Sequence, residues 1–187
     1  MQLFISHSSK DREWVELVRK RIEASGFRAY LAEYDLSGIG SDLSPKIQEA
    51  IKASAAIVVV LTGNAAGSAI VREEIGFALG QAKLVVPLVT PEVAQKPAAL
   101  GMLNGREYIP FDIEEPQEGL IRLTDWVNLF ARQKQHELHE AQLAAQRAQM
   151  QQMDQTIAQL QFQNDIAMLL LVFAGAVAVA VIIAKSS

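Results

Sequence analysis

The run Ala56–Leu61, AIVVVL, constrains the fold more than any other stretch. A half-buried strand alternates apolar and polar residues, and this one does not. Its β-branched composition favours a strand, and the lack of alternation means that both faces are covered. Such strands belong to the interior of a parallel sheet. Parallel neighbours cannot be joined by a hairpin, so the chain around this run has to supply crossover helices.

The flanking sequence supplies them. Leu3, Phe4 and Ile5 form a short apolar run that leaves the sheet at the polar segment HSSKD. Asp11–Ser25 reads as a helix, with Trp14, Val15, Leu17, Val18 and Ile22 on one side and charged residues on the other. Ser8, Ser9 and Asp11 are plausible N-caps, and Gly26 ends the helix. Arg28–Ala32 reads as a second strand. A Gly- and Ser-rich loop leads to a helix over Leu43–Ala53, with Pro45 in its first turn. After AIVVVL come a helix over Ser68–Ala82 and an apolar strand, Leu84–Val89, in which Pro87 implies a bulge or a weakly paired position. Thr90–Glu107 reads as loop, Tyr108–Phe111 as the last strand, and a final helix starts at Pro116. This βα repetition predicts a doubly wound α/β domain over residues 1–131. Ligands of such sheets bind outside the carboxyl ends of the strands, where the loops after Ile5, Ala32 and Leu61 lie.

Composition matters most at the other end of the chain. Half of all residues are hydrophobic, and the excess is concentrated near the C-terminus. Residues 132–165 are rich in Gln, Ala, His and Met without Gly or Pro. They predict a long helical spacer with a weak coiled-coil seam of Leu143, Met150, Ile157 and Asn164 beside Gln146, Met153 and Leu160. Ile166–Ala184 is uncharged and apolar apart from glycine, the length of one transmembrane helix, with residues 185–187 as a tail. The start, MQLFISHSSKD, lacks the basic and long apolar regions of a secretory signal. The expectation is a single-pass, C-terminally anchored membrane protein with its α/β domain in the cytoplasm. A net charge of −4 provides no global basic field for nucleic acid, and the absence of cysteine excludes disulfides, thiolate nucleophiles and cysteine-based zinc sites. His136 and His139, without a third ligand nearby, read as surface histidines, so no metal site is expected.

Two adjacent carboxylates follow AIVVVL. On a helical projection Val71, Ile75, Ala78 and Ala82 face the sheet, Glu73 falls opposite them in solvent, and Glu74 falls at the border of the buried stripe. Glu74 could point into a cleft at the ligand edge, or serve as a first-turn acid complementing the helix dipole. His7, Ser8 and Ser9 could contact a phosphate or ribose, or cap the next helix. Ser37, Gly38, Gly40 and Ser41 could lie near anionic groups, although they match neither the P-loop nor the GxGxxG pattern.

Taken together these segments resemble a Toll/interleukin-1 receptor (TIR) domain. LFISHSSKD resembles the family's first strand and polar box. The stretch from Gly26 to Thr62 resembles its second strand, BB loop (Asp35–Pro45), helix and third strand. SAIVREEIGFAL resembles its Ser-x-Trp-x-x-x-Glu segment, with Ile70 at the Trp position. The resemblance implies a flavodoxin-like, five-stranded parallel sheet in strand order 2-1-3-4-5. It also implies cleavage of NAD+ at the nicotinamide–ribose bond, with Glu74 catalytic and NAD+ a substrate rather than a cofactor. His7, Ser8, Ser37, Gly40, Ser68 and Ile70 are the implied binding residues. The implied setting is a self-assembling NAD hydrolase or cyclase in immune or anti-phage defence. The alternatives are a non-catalytic adaptor for other TIR domains and an effector that disturbs the membrane on clustering.

Overall fold

The structure, a computed structural model, describes residues 1–31 and 44–185, with the side chains of residue 173 and of residues 175–185 outside the description. The chain divides into two units, Met1–Ala131 and Arg132–Ser187. In the first, the described residues form a parallel sheet of strands β1 (Gln2–Ser6), β2 (Arg28–Leu31), β3 (Ala56–Leu61), β4 (Leu84–Val89) and β5 (Ile109–Pro110). The strand order is β2-β1-β3-β4-β5, as the resemblance implied. All six residues of β3 are buried, because β3 sits at the centre of the sheet with helices on both faces.

Helix α1 (Arg12–Ala24) lies on one face and buries Val15, Val18 and Ile22 against Leu3, Ile5, Val58 and Val60. It ends in a Schellman motif. Gly26 adopts φ +82°, its N–H donates to the Glu23 carbonyl at 3.0 Å, and the Phe27 N–H donates to the Ile22 carbonyl at 3.3 Å. Helices α2 (Pro45–Ala53) and α4 (Ala69–Gly80) contribute Ile51, Val71, Ile75 and Ala78 to the other core, against Phe4, Ile57 and Val59. Between β3 and α4 lies one further turn of helix, α3 (Gly63–Ala66), capped by the Thr62 hydroxyl, which accepts from the Ala65 N–H.

Four sequence expectations are corrected. The α4 helix ends at Gly80 rather than Ala82. Gln81 caps it, and Ala82 takes the left-handed conformation (φ +52°) usual for glycine, with its N–H donating to the Leu79 carbonyl and that of Lys83 to the Ala78 carbonyl. Pro87 is neither bulged nor unpaired. It stands in register with Val59 in an unbroken six-residue ladder. Val89 offers its carbonyl to the Phe111 N–H, on the β5 side, so by the two-residue alternation Pro87 also turns its nitrogen away from β3, and the missing N–H costs that ladder nothing. Thr90–Glu107 is not merely loop. Helices α5 (Pro91–Ala94) and α6 (Pro97–Leu100) each begin with proline in the first turn, where its missing N–H is no loss. The last strand is Ile109–Pro110 rather than Tyr108–Phe111.

Helix α7 runs from Gln117 to Lys185, and no proline occurs after Pro116 to interrupt it. Its residues Leu120, Leu123, Val127 and Phe130 belong to the core of the first unit. In the second unit the expected seam residues Met150, Met153, Ile157 and Leu160 are all exposed. The expected membrane span, Ile166–Ala184, is helical, but most of its side chains lie outside the described residues. Among the described residues no helix is long and apolar enough to cross a membrane.

Candidate functional site

The carboxyl ends of β1 and β3 carry the chemistry-bearing residues. Ser6 closes β1 opposite Val59 in the central ladder. His7 and Ser8 follow it, while Thr62 follows β3. Helix α4 begins at the same edge, with the Ser68 hydroxyl capping it by accepting from the Val71 N–H at 3.3 Å.

Helical phase placed Glu73 in solvent, and it is exposed. Glu74 lies further in than phase suggested. It belongs to the buried stripe itself, with Val71, Ile75 and Ala78, and its side chain has no accessible surface (0%). A carboxylate in that position is unfavourable unless hydrogen-bonded. The hydroxyl of Ser6, also fully buried, donates to Glu74 Oε2 at 2.5 Å across 68 residues of sequence. Ser6 escaped the sequence reading because its partner is so remote. The available signal was a hydroxyl directly after the apolar run Leu3–Ile5.

His7 is buried, and its Nδ1 donates to the Ile5 carbonyl at 3.2 Å, so the ring carries its proton on Nδ1. Burial lowers its pKa below the ordinary histidine value. The Ile5 hydrogen bond and the charge of Asp11 oppose that shift, and Arg12 adds to it. Ser8 accepts from the Lys10 N–H at 3.3 Å and caps the short 3-10 turn Ser9–Asp11. Ile70, one helical turn before Glu74, is 41% exposed. Ser37, Gly40 and the BB loop up to residue 43 lie outside the described residues.

A second polar cluster ties two loops of this edge together. Asp11 stands at the N-cap of α1 but makes no capping bond with its side chain. It is buried and instead accepts from Thr62 Oγ1 at 2.5 Å and Asn64 Nδ2 at 2.7 Å. Further along, buried Thr90 donates to Glu92 Oε1 at 2.6 Å, and the Gly63 N–H reaches the same oxygen at 3.4 Å. Burial raises the Glu92 pKa, but these bonds together with its own backbone amide outweigh that effect and hold it below the usual carboxylate value. A groove of about 620 Å³ lies at the β4–β5 end, lined in part by Val89, Pro91, Tyr108 and Asp112, and none of the expected site residues lines it. Among the described residues no group of histidines and carboxylates could hold a metal ion.

A buried carboxylate locked to a strand can stabilise a cation that develops beside it, or bind sugar hydroxyls.

The chain is similar in structure to the CMP N-glycosidase BcmB of Clostridium botulinum (TM-score 0.48, 18% identity, 66% of this chain and 98% of that one). It is also similar to the TIR domains of the activated Roq1 resistosome, which directly recognises the pathogen effector XopQ (0.42, 20%, 68% and 83%). A third similar structure is the TIR domain of the Toll-related receptor TRR-2 from Hydra magnipapillata (0.44, 23%, 70% and 95%). No curated protein matches the chain in sequence. The model of the TIR domain family matches residues 3–124, well over half of the chain and all five strands of the sheet except the first residue of β1. With that match over the sheet in the order β2-β1-β3-β4-β5, the chain belongs to the TIR domain family.

Proposed function

We propose that this protein cleaves NAD+ at the nicotinamide–ribose bond, with Glu74 as the catalytic carboxylate. The observation that carries the reading is the place of Glu74 at the carboxyl edge of the sheet, where its carboxylate is hydrogen-bonded to Ser6 at the end of β1. The C–N bond breaks with its electron pair passing to the pyridinium nitrogen, which leaves neutral nicotinamide and an oxocarbenium-like ribose. Glu74 stabilises that charge. Water then adds to the sugar carbon and releases a proton, or a nucleophile of the same molecule closes a cyclic product. The leaving group is already cationic, so no general acid is required. NAD+ is thus a substrate, and His7, Ser8, Ser37, Gly40, Ser68 and Ile70 are the proposed binding residues. Self-association of TIR domains activates the site. The sequence Ile166–Ala184 anchors the protein in a membrane with the TIR domain in the cytoplasm, in an immune or anti-phage role.

The decisive experiment compares wild type with Glu74→Gln in cells, following NAD+ and growth, and then follows nicotinamide release by the full chain in vesicles. Loss of NAD+ with wild type alone supports the enzyme, and equal NAD+ in both overturns it.

A second reading is a scaffold that recruits other TIR domains. Glu74 has no accessible surface, so this form of the chain does not present it to a substrate. Under that reading Glu74→Gln leaves both NAD+ and partner binding unchanged.

A further inference from the structure

Ser6 has no place in the reaction as derived so far, yet it makes a contact that joins Glu74 to the sheet. We propose that Ser6 is a positioning residue that holds the Glu74 carboxylate in its reactive orientation. The proposal rests on the reading of Glu74 as the reacting carboxylate.

Three observations carry it. Ser6 is the last residue of β1, a strand hydrogen-bonded on both sides, to β2 and to β3. Ser6 itself is held in register with Val59 of β3. Both side chains are fully buried, so no water competes for the bond. The Ser6 hydroxyl reaches Glu74 Oε2 at an O···O distance of 2.5 Å, a full hydrogen bond. A glutamate has three side-chain torsions, and helix packing restrains the first two better than the last. A hydroxyl fixed to a separate element restrains the last one, which sets the plane of the carboxyl group.

The alternative is that Ser6 merely satisfies a buried carboxylate. The two roles differ in what they predict for turnover. A positioning bond is felt most in the transition state, where a small misorientation of the reacting group costs rate rather than substrate affinity. Ser6→Ala is then expected to lower kcat by about 10- to 100-fold while KM stays within about threefold. Ser6→Thr, which keeps the hydroxyl, is expected to recover most of that loss. An unchanged kcat in Ser6→Ala, or an equal loss in Ser6→Thr that circular dichroism shows to be fully folded, overturns the proposal.

A measurement independent of turnover keeps this separate from the NAD+ reading. Urea unfolding is followed for wild type, Ser6→Ala, Glu74→Ala and the double variant of the full chain. A functional Ser6–Glu74 bond lowers the midpoint on Ser6→Ala only when Glu74 is present. If wild type cleaves no NAD+ but this coupling is found, the reading of the reaction fails while the positioning contact stands. An equal drop in both backgrounds overturns the contact itself.

Discussion

Asp11 offers a quantitative test of how the functional edge is held. Its carboxylate accepts from the Thr62 hydroxyl at 2.5 Å and from the Asn64 amide at 2.7 Å, which ties the start of α1 to the loop after β3. Asp11 and Thr62 are both buried, and a charged hydrogen bond there contributes about 1.5–3 kcal/mol. The Asn64 bond is more exposed and contributes about 0.5–1.5 kcal/mol. Asp11→Ala recovers part of this, because an ionised group no longer has to be desolvated. The net expectation is a loss of about 2–3 kcal/mol, a large share of the roughly 5–15 kcal/mol that stabilises a typical domain. Asp11→Asn is expected to do no better. A carboxylate presents acceptors to both donors, whereas an amide turns its own NH2 toward one of them. The chain has two tryptophans, Trp14 and Trp126, both in the first unit, so fluorescence-detected urea unfolding reads this domain directly. A double-mutant cycle with Thr62→Ala should give a coupling of about 1–3 kcal/mol. A coupling below about 0.5 kcal/mol, or an Asp11→Asn variant as stable as wild type, refutes the reasoning.

Other substitutions test the fold around the site. Ala82 sits at φ +52°, where a side chain is unfavourable by about 1–2 kcal/mol, so Ala82→Gly should stabilise the domain by about 0.5–1 kcal/mol once the greater freedom of unfolded glycine is counted. The same unfolding curves check it. Gly119 is the reverse case: a Cβ there would stand 2.8 Å from the Pro110 carbonyl oxygen and 2.9 Å from the Phe111 ring. Gly119→Ala should cost about 1–3 kcal/mol despite better helix propensity, whereas Gly80→Ala, with open space around it, should be neutral or stabilising; thermal melts of the pair decide. The pKa of His7 is depressed in the folded state, so the unfolded chain binds more protons between the folded and the ordinary value of about 6.5. Its contribution is therefore complete above pH 6.5 and is lost as pH falls through the folded value. Wild type should lose more stability than His7→Asn on acidification from pH 7.5 to 5, as read by urea midpoints at each pH.

The sheet was legible because its signal is local. Six consecutive apolar residues in β3, four of them β-branched, favour an interior strand, and the spacing of Val15, Val18 and Ile22 is enough to place α1. Helix phase likewise separated Glu73 from Glu74. Phase put Glu74 at the border of the stripe, however, because a carboxylate in the stripe itself makes sense only with Ser6, 68 residues away. Asp11 was legible as a cap by type and position, but its real partners lie beyond the next strands. Proline misled twice for one reason. Pro91 and Pro97 break helices only in the interior, and here they begin them. Pro87 was read as a defect because sequence does not say toward which neighbour a backbone nitrogen turns.

That orientation has a consequence for solubility. Strand β5 pairs only with Leu88 and Val89, so the earlier part of β4 presents an outer edge that β5 does not cover. Apart from Pro87, Leu84–Val89 is an apolar run without charge, the composition that adds to the strands of other molecules and seeds aggregates. Pro87 removes one of the donors that face this edge, so a foreign strand docking there meets a missing rung. The residue that looked like a flaw in the sheet acts as a gatekeeper against its uncontrolled growth.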